Sequence, residues 1–88
     1  MKVFIIETDI SESIIHKIDI ENGDYLTPRR LTGNMVKRAS DGLVEILKER
    51  PSKVIVEKIA RGESFLDNLI NTMQKHGISL SEDCRVTY

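Results

Sequence analysis

The chain has 88 residues, of which 40% are hydrophobic and 31% are charged, and its formal net charge is −1. A chain of this size builds one small core, so we expect a single domain over residues 1–88, and its near-neutral charge argues against a dedicated, high-affinity nucleic-acid binder. No apolar run approaches the ~18 residues of a membrane-spanning segment, so we expect no membrane partner.

Residues 2–8 are rich in β-branched side chains and predict a first strand, which ends beside two carboxylates, Glu7 and Asp9. Residues 13–20 alternate imperfectly between two faces and predict a second strand. A turn over residues 9–12 would make these two strands antiparallel.

The Asn22-Gly23 pair is the strongest hairpin signal in the chain, because both residue types tolerate the positive φ of a type I′ turn. It leads into a third predicted strand over residues 24–31. Pro28 has no amide hydrogen to donate, so this strand should lie at the sheet edge or be broken.

Beyond the third strand, apolar residues recur at spacings of three and four, which predicts an amphipathic helix over residues 33–49. Thr32 or Asn34 is the candidate N-cap, and Pro51 closes the helix. Residues 53–57, KVIVE, predict a short strand that ends in an acid, as the first strand does.

A second amphipathic helix is predicted to begin at Ser64, whose spacing to Asp67 is typical of a capping box. It ends at His76 and Gly77, because glycine is the preferred residue after a helix. Residues 84–88 predict a last short strand.

The predicted order is therefore β-β-β-α-β-α-β, an α/β fold. Three antiparallel strands followed by crossover helices imply a mixed sheet in which strand 53–57 lies parallel to strand 2–8. The carboxyl ends of these strands would then bring Asp9 and Glu57 together, at the edge where open α/β sheets bind ligands. Two such carboxylates repel unless a hard cation such as Mg²⁺ lies between them. The alternative is that both are solvated acids at strand ends.

The segment order and the acid positions resemble the ribonuclease H-like superfamily, most closely its branch of RuvC-type Holliday-junction resolvases and phage terminase nuclease domains. The matching motifs are FIIETD, which ends at Asp9, VIVE, which ends at Glu57, and the following KIARGESFLDNLINTMQKHGI. This resemblance implies a ribonuclease H-like fold, catalytic and Mg²⁺-binding roles for Asp9 and Glu57, and DNA as the substrate.

The resemblance also implies more carboxylates than the motifs supply. A two-metal site needs about three or four of them, and the motifs here contain two. The family's further acids lie on a helix after the last strand, whereas this sequence ends at Tyr88. Glu7 is an additional candidate metal ligand, because residues i and i+2 of a strand face alike. We therefore expect an incomplete carboxylate site, or one that a partner chain completes.

The charges are unevenly distributed along the first half of the chain. Residues 7–24 contain six acids and one lysine, and the next basic segment contains no acid: Arg29, Arg30, Lys37 and Arg38. One interpretation makes these four cations the nucleic-acid contacts, at a phosphate-binding edge beside a metal-binding one. The other interpretation is ordinary solvated surface.

Cys84 is the single cysteine, so it cannot form an internal disulfide, and the N-terminal residues lack the pattern of a signal peptide. Both observations predict a cytoplasmic protein. Without a motif around it, Cys84 is interpreted as a small buried residue and not as a nucleophile.

Two functions fit these observations. The incomplete acid set and the near-neutral charge favour a small noncatalytic module, an accessory factor of phage or plasmid type. It would bind a protein partner or a second copy of itself through its exposed third-strand edge and truncated sheet. The alternative is a Mg²⁺-dependent, RuvC-like nuclease or resolvase that cleaves DNA with Asp9 and Glu57.

Overall fold

A computed structural model describes residues 1–57, 60–80 and 85–88 of the chain. Cys84, which the sequence analysis interpreted as a small buried residue, lies outside the described residues. The described residues form six strands and two helices in this order: β1 (Lys2–Thr8), β2 (Glu12–Asp19), β3 (Asp24–Tyr25), β4 (Arg29–Thr32), α1 (Met35–Glu49), β5 (Lys53–Val56), α2 (Ala60–Lys75) and β6 (Arg85–Thr87).

The strands form one mixed sheet in the order β3-β2-β1-β5-β6, with β4 also paired to β2. β1 and β2 are antiparallel, whereas β1 with β5 and β5 with β6 are parallel. The predicted α/β architecture is confirmed, including the position of strand 53–57 parallel to and beside the first strand.

The third predicted strand is divided into β3 and β4, which both pair with β2 at the sheet edge. Residues 26–28 separate them, because Pro28 has no amide hydrogen to contribute to the ladder. The prediction of an edge or broken strand is confirmed in both respects.

The type I′ turn predicted at Asn22-Gly23 is wrong. Asp19 pairs with Asp24, so four residues connect the strands, and of the two turn residues Gly23 alone has a positive φ, of 68°. The Asp19 carboxylate closes this longer loop by accepting hydrogen bonds from the Glu21 amide and the Asn22 side chain.

Asn34 is the N-cap of α1, since its side chain accepts a hydrogen bond from the Lys37 amide at 2.8 Å. The helix ends at Glu49, and Arg50, with φ of 48°, turns the chain toward Pro51. The predicted helix is confirmed, with Asn34 as the cap instead of Thr32.

The second helix begins at Ala60, four residues before the predicted start at Ser64. Ser64 is an interior residue whose carbonyl accepts a hydrogen bond from the Asn68 side chain. The predicted end is confirmed: the helix stops at Lys75, and Gly77 has a positive φ of 64°.

Both helices cover the same face of the sheet. The buried core combines residues from the strands and helices: Phe4, Ile6, Ile15, Leu31, Ala39, Leu43, Ile46, Val54, Val56, Phe65 and Leu69. No described helix packs on the opposite face, which we call the open face. By strand alternation its residues include Val3, Ile5, Glu7, Glu12, Ile14, His16, Ile18, Tyr25, Arg30, Thr32, Lys53, Ile55 and Thr87.

Within the described ranges, neither helix has the length and apolar character needed to cross a membrane.

Candidate functional site

The acids that follow β1 and β5 lie at the same end of the sheet, but they are offset along it. Ile6 pairs with Val56, and the Glu57 amide donates to the Ile6 carbonyl at 3.0 Å. Continuing this register sets Glu57 beside Glu7, at the usual strand spacing of about 4.8 Å. Asp9 lies two residues farther along the chain, beyond the end of β1. The parallel pairing therefore brings Glu57 next to Glu7, the additional candidate, and not next to Asp9.

Asp9 is part of the turn between β1 and β2. Its amide donates to the Glu12 carbonyl at 2.8 Å, and its carboxylate accepts a hydrogen bond from the Ile10 amide at 2.7 Å. The Asp9 carbonyl accepts a third hydrogen bond, from Arg38 at 2.8 Å. These contacts give Asp9 a structural role in the turn.

The last β1 side chain that faces the helices belongs to Thr8, which is buried. Its hydroxyl oxygen accepts a hydrogen bond from the Ser13 hydroxyl at 3.3 Å. A neutral hydroxyl pair therefore occupies the core side of the strand end, and the carboxylates lie outside it.

These donors supply only part of the two-metal site that the family resemblance implies. Among residues 1–57, 60–80 and 85–88 no group of three or more histidine, cysteine, aspartate or glutamate side chains could hold a metal ion. Glu7 and Glu57 are adjacent by register and form a pair of carboxylates, which is enough for one Mg²⁺ ion that keeps its waters but fewer than a two-metal site needs.

His16 lies on the open face between two polar side chains. Its Nε2 atom lies 3.2 Å from the Glu7 carboxylate, and its Nδ1 atom makes a short contact with the Tyr25 hydroxyl. The His16 and Tyr25 rings meet edge to face at 5.9 Å. Sequence patterns did not identify this Glu7–His16–Tyr25 cluster, because it depends on the strand register that pairs His16 with Ile5.

The four predicted nucleic-acid contacts do not form one patch. Arg38 is buried, and its three guanidinium nitrogens donate to the carbonyls of Gly33, Asp9 and Ile10. The other three are exposed and each lies near an acid: Arg29 with Glu45, Arg30 with Glu12 and Lys37 with Asp41. Arg29 and Arg30 are successive β4 residues, so they point to opposite faces of the sheet.

A cluster of charges that sequence patterns did not identify joins the sheet to α1. Lys17 is buried on the helix side of β2 and contacts both Glu45 and Glu49, and Lys2 lies 3.0 Å from Glu49. Burial alone raises the pKa of Glu49, but hydrogen bonds from Lys17 and Lys2 outweigh it and lower that pKa to about 2. Lys17 also lies over the Phe4 ring, 5.5 Å from its centre. This cluster is far from the strand-end acids and stabilises the fold.

Comparison with known proteins supports the fold. No protein-family model and no curated protein matches the sequence. The chain is similar to the Thermus thermophilus RuvC structure, with 15% identity and a TM-score of 0.62, over 98% of this chain and 62% of that one. It is also similar to T. thermophilus RuvC in complex with Holliday junction substrate, with 12% identity and a TM-score of 0.62, over 100% of this chain and 64% of that one. The fold is ribonuclease H-like.

The ribonuclease H-like chain spans less than two thirds of the length of these RuvC chains. At such low identity the likeness concerns the fold alone.

Proposed function

We propose that this chain is a noncatalytic ribonuclease H-like module that acts through protein contacts, as an accessory factor. The observation that carries the proposal is the donor set at the carboxyl ends of β1 and β5. The described residues there supply a register pair, Glu7 and Glu57, and no cluster of three metal-binding side chains. Phosphodiester hydrolysis by two metal ions needs a larger set.

The contacts of Asp9 support the same proposal. Asp9 uses its amide, its carbonyl and one carboxylate oxygen within the turn, so one oxygen of its carboxylate is already engaged in holding that turn. The buried side chain beside it belongs to Thr8, which is neutral. The strand end is thus built as a closed turn.

The cations give little support to a nucleic-acid surface. Binding a DNA backbone needs several free cations on one face, because affinity grows with the number of phosphates that are neutralised. Arg38 is buried, and Arg29 and Arg30 point to opposite faces of the sheet. The predicted nucleic-acid contacts of these four basic residues stay predictions.

The alternative function is a Mg²⁺-dependent, RuvC-like nuclease with a site that a partner completes. Two observations favour it: the Glu7 and Glu57 register pair, and the similarity to a RuvC structure solved with Holliday junction substrate. In this alternative Asp9 and Glu57 are the catalytic and metal-binding acids, and Glu7, the register neighbour of Glu57, is a further ligand.

A metal titration separates the two functions. We expect Mg²⁺ or Mn²⁺ to produce no shared, saturable change in the NMR resonances of Glu7, Asp9 and Glu57, and no cleavage of a four-way DNA junction. Asp9→Asn and Glu57→Gln test the two acids of the family motifs. Asp24→Asn is the matched control, since Asp24 is an exposed strand acid near the opposite end of the sheet.

Metal-dependent junction cleavage that Asp9→Asn or Glu57→Gln abolishes, and that Asp24→Asn retains, would overturn the proposed function. Cleavage that all three variants retain would instead indicate a contaminating nuclease.

A further inference from the structure

Tyr25, His16 and Glu7 form a continuous line of polar contacts across three strands of the open face. Tyr25 lies on β3, His16 on β2 and Glu7 on β1. The strand register sets them on one diagonal, because His16 pairs with Ile5, two residues before Glu7, and Tyr25 pairs with Ile18, two residues after His16. All three side chains therefore lie on the same side of the sheet.

The carboxylate decides which ring nitrogen of His16 carries the proton. Glu7 lies 3.2 Å from Nε2, and an ionised carboxylate can only accept a hydrogen bond. In the neutral ring Nε2 therefore carries the proton and donates it to Glu7, which leaves a lone pair on Nδ1. Because Nδ1 contacts the Tyr25 hydroxyl, that hydroxyl is the donor and the imidazole is the acceptor. His16 is thus placed as a general base for the phenol.

A hydroxyl, an imidazole and a carboxylate in this order are the arrangement that activates nucleophiles in covalent catalysis. The imidazole removes the proton as the oxygen attacks, and the carboxylate orients the ring and stabilises the imidazolium. Tyr25 is 61% exposed, whereas His16 is half-buried between its two partners. The attacking oxygen is therefore open to a reactant from solution while its base is held in place.

The charges near Tyr25 disfavour an anionic reactant. Three acids lie in and beside the loop that leads into β3: Asp19, Glu21 and Asp24. The amino terminus pairs with Asp19 and Glu21, so this corner of the sheet keeps a net negative charge. A phosphate-bearing reactant would be repelled here, whereas an uncharged one would not.

An aliphatic surface adjoins Tyr25 on the open face. Ile18 is its register neighbour, and Ile14, Ile5 and Val3 continue the surface across β2 and β1. The three isoleucines are half-buried, and no described helix lies over them. A hydrocarbon chain that extends from Tyr25 along this surface would bury apolar area. The surroundings of the phenol therefore favour an uncharged reactant with an aliphatic chain.

We propose that Tyr25 is a covalent modification site, which His16 activates to accept an aliphatic acyl group from an activated aryl ester or thioester. The Tyr25 oxygen forms a bond to the acyl carbon while its proton passes to Nδ1 of His16. The bond from the acyl carbon to the aryloxide or thiolate then breaks, and the imidazolium returns the proton to this leaving group. The products are O-acyl-tyrosine and a phenol or thiol, and Glu7 is a positioning residue. The step uses no metal ion, so it is independent of the proposed function.

Reaction with p-nitrophenyl hexanoate tests the site, and Tyr88 is the internal control. Tyr88 is the second of two tyrosines and is exposed, and desolvation with the charges of Glu63 and Asp67 raises its pKa. Peptide mass spectrometry should find the hexanoyl group on Tyr25 at a rate at least about 100-fold above that on Tyr88. In the urea-unfolded chain the two rates should converge. p-Nitrophenyl acetate, which has a shorter chain, should favour Tyr25 less strongly.

His16→Gln isolates the base, because glutamine can still donate and accept hydrogen bonds but cannot take the proton. It should slow acylation of Tyr25 at least about tenfold and abolish the rise of the rate near neutral pH, where imidazoles titrate. Glu7→Gln should slow it less and keep that rise. His76→Gln is the matched control, because His76 is the other histidine and lies exposed beyond α2. It should leave acylation of Tyr25 unchanged.

Three results would each overturn the inference. They are equal acylation of the two tyrosines in the folded wild type, a Tyr25 rate that His16→Gln leaves unchanged, and a Tyr25→Phe variant that releases nitrophenol as fast as the wild type. The first needs no variant, so it decides even if a substitution unfolds the chain. An equal preference for Tyr25 with both esters would overturn the aliphatic specificity. Failure of the inference leaves the noncatalytic proposal standing, whereas metal-dependent junction cleavage overturns that proposal whichever tyrosine reacts.

Discussion

Arg38 fixes the turn between β1 and β2 to the start of α1. Its guanidinium donates to the carbonyls of Asp9 and Ile10 in the turn and of Gly33 before the helix. The planar guanidinium of arginine can donate to three carbonyl oxygens at once in a fixed geometry, which the single ammonium group of lysine cannot reproduce. The sequence contained a sign of this burial, because Arg38 precedes the buried residues Gly42 and Ile46 by one and two helical turns.

Replacing Arg38 should therefore destabilise the fold. Arg38→Ala leaves three carbonyls without their donor, and we expect a loss of about 2–4 kcal/mol in the free energy of unfolding, measured by urea denaturation. Arg38→Lys should recover only part of that loss. Arg30→Ala removes an exposed arginine and should change the free energy of unfolding by less than about 0.5 kcal/mol. Equal effects at Arg30 and Arg38 would contradict the structural role of Arg38.

At the scale of single elements, Gly62 decides how closely α2 approaches the end of β5. It is buried, and a Cβ atom at this position would overlap with the carbonyl oxygen of Glu57. Because the obstacle is backbone, it cannot rotate away as a side chain would. Gly62 lies in the first turn of α2, which begins at Ala60 and not at Ser64 as the capping pattern predicted.

Gly62→Ala should therefore destabilise the protein although alanine favours helix by about 1 kcal/mol. We expect a net loss of about 1–3 kcal/mol, seen as a lower midpoint of thermal unfolding. Gly42→Ala is the comparison, because a Cβ atom there would meet the side chain of Phe65 at 3.0 Å, and a side chain can adjust. A smaller effect of Gly62→Ala than of Gly42→Ala would show that the helix moves away from the strand end at little cost.

Elements with a strong local signal were predictable from the sequence. The periodicity of α1, the cap at Asn34 and the break at Pro28 are all local, and all agree with the structure. The start of α2 was missed, because the Ser64–Asp67 spacing resembles a capping box although Ser64 lies inside the helix.

The candidate site shows the same division. The predicted parallel pairing of the first strand with strand 53–57 correctly put their terminal acids at one end of the sheet. Strand register then decides which of these acids are neighbours. That register pairs Glu57 with Glu7 and leaves Asp9 in a turn. The contacts of Arg38, His16 and Lys17 likewise depend on long-range pairing, so the sequence identified the residue types without their partners.

At the scale of the whole molecule, the charged cluster between the sheet and α1 links stability to pH. Lys17, Lys2 and Arg29 on the strands meet Glu45 and Glu49 on the helix. Burial alone lowers the pKa of Lys17, but hydrogen bonds and charge from Glu49 and Glu45 raise it above its ordinary value. A charge left unpaired in this half-buried layer is costly, so the ions stabilise the fold as a set.

The depressed pKa of Glu49 predicts a loss of stability in acid. The folded state holds this carboxyl ionised down to a pKa of about 2, whereas its ordinary value is 4.5. Its contribution is therefore complete above pH 4.5 and disappears as the pH falls toward 2. We expect it to be roughly 2–3 kcal/mol, measured as the free energy of unfolding in urea across this range. The pKa of Lys17 is raised, so the stability that its charge contributes is lost only in base, as the pH rises above 10.5.

Two variants assign this acid sensitivity to the cluster. Glu49→Gln removes the titrating carboxyl, so the variant should be less stable than the wild type at neutral pH and should lose less stability between pH 4.5 and 2. Glu63→Gln removes an exposed carboxyl of α2, outside the cluster, and should keep the wild-type acid profile. An acid profile that Glu49→Gln leaves as steep as in the wild type would place the titrating groups elsewhere. In that case the sheet and α1 would be held together by their apolar contacts, with the ions contributing little.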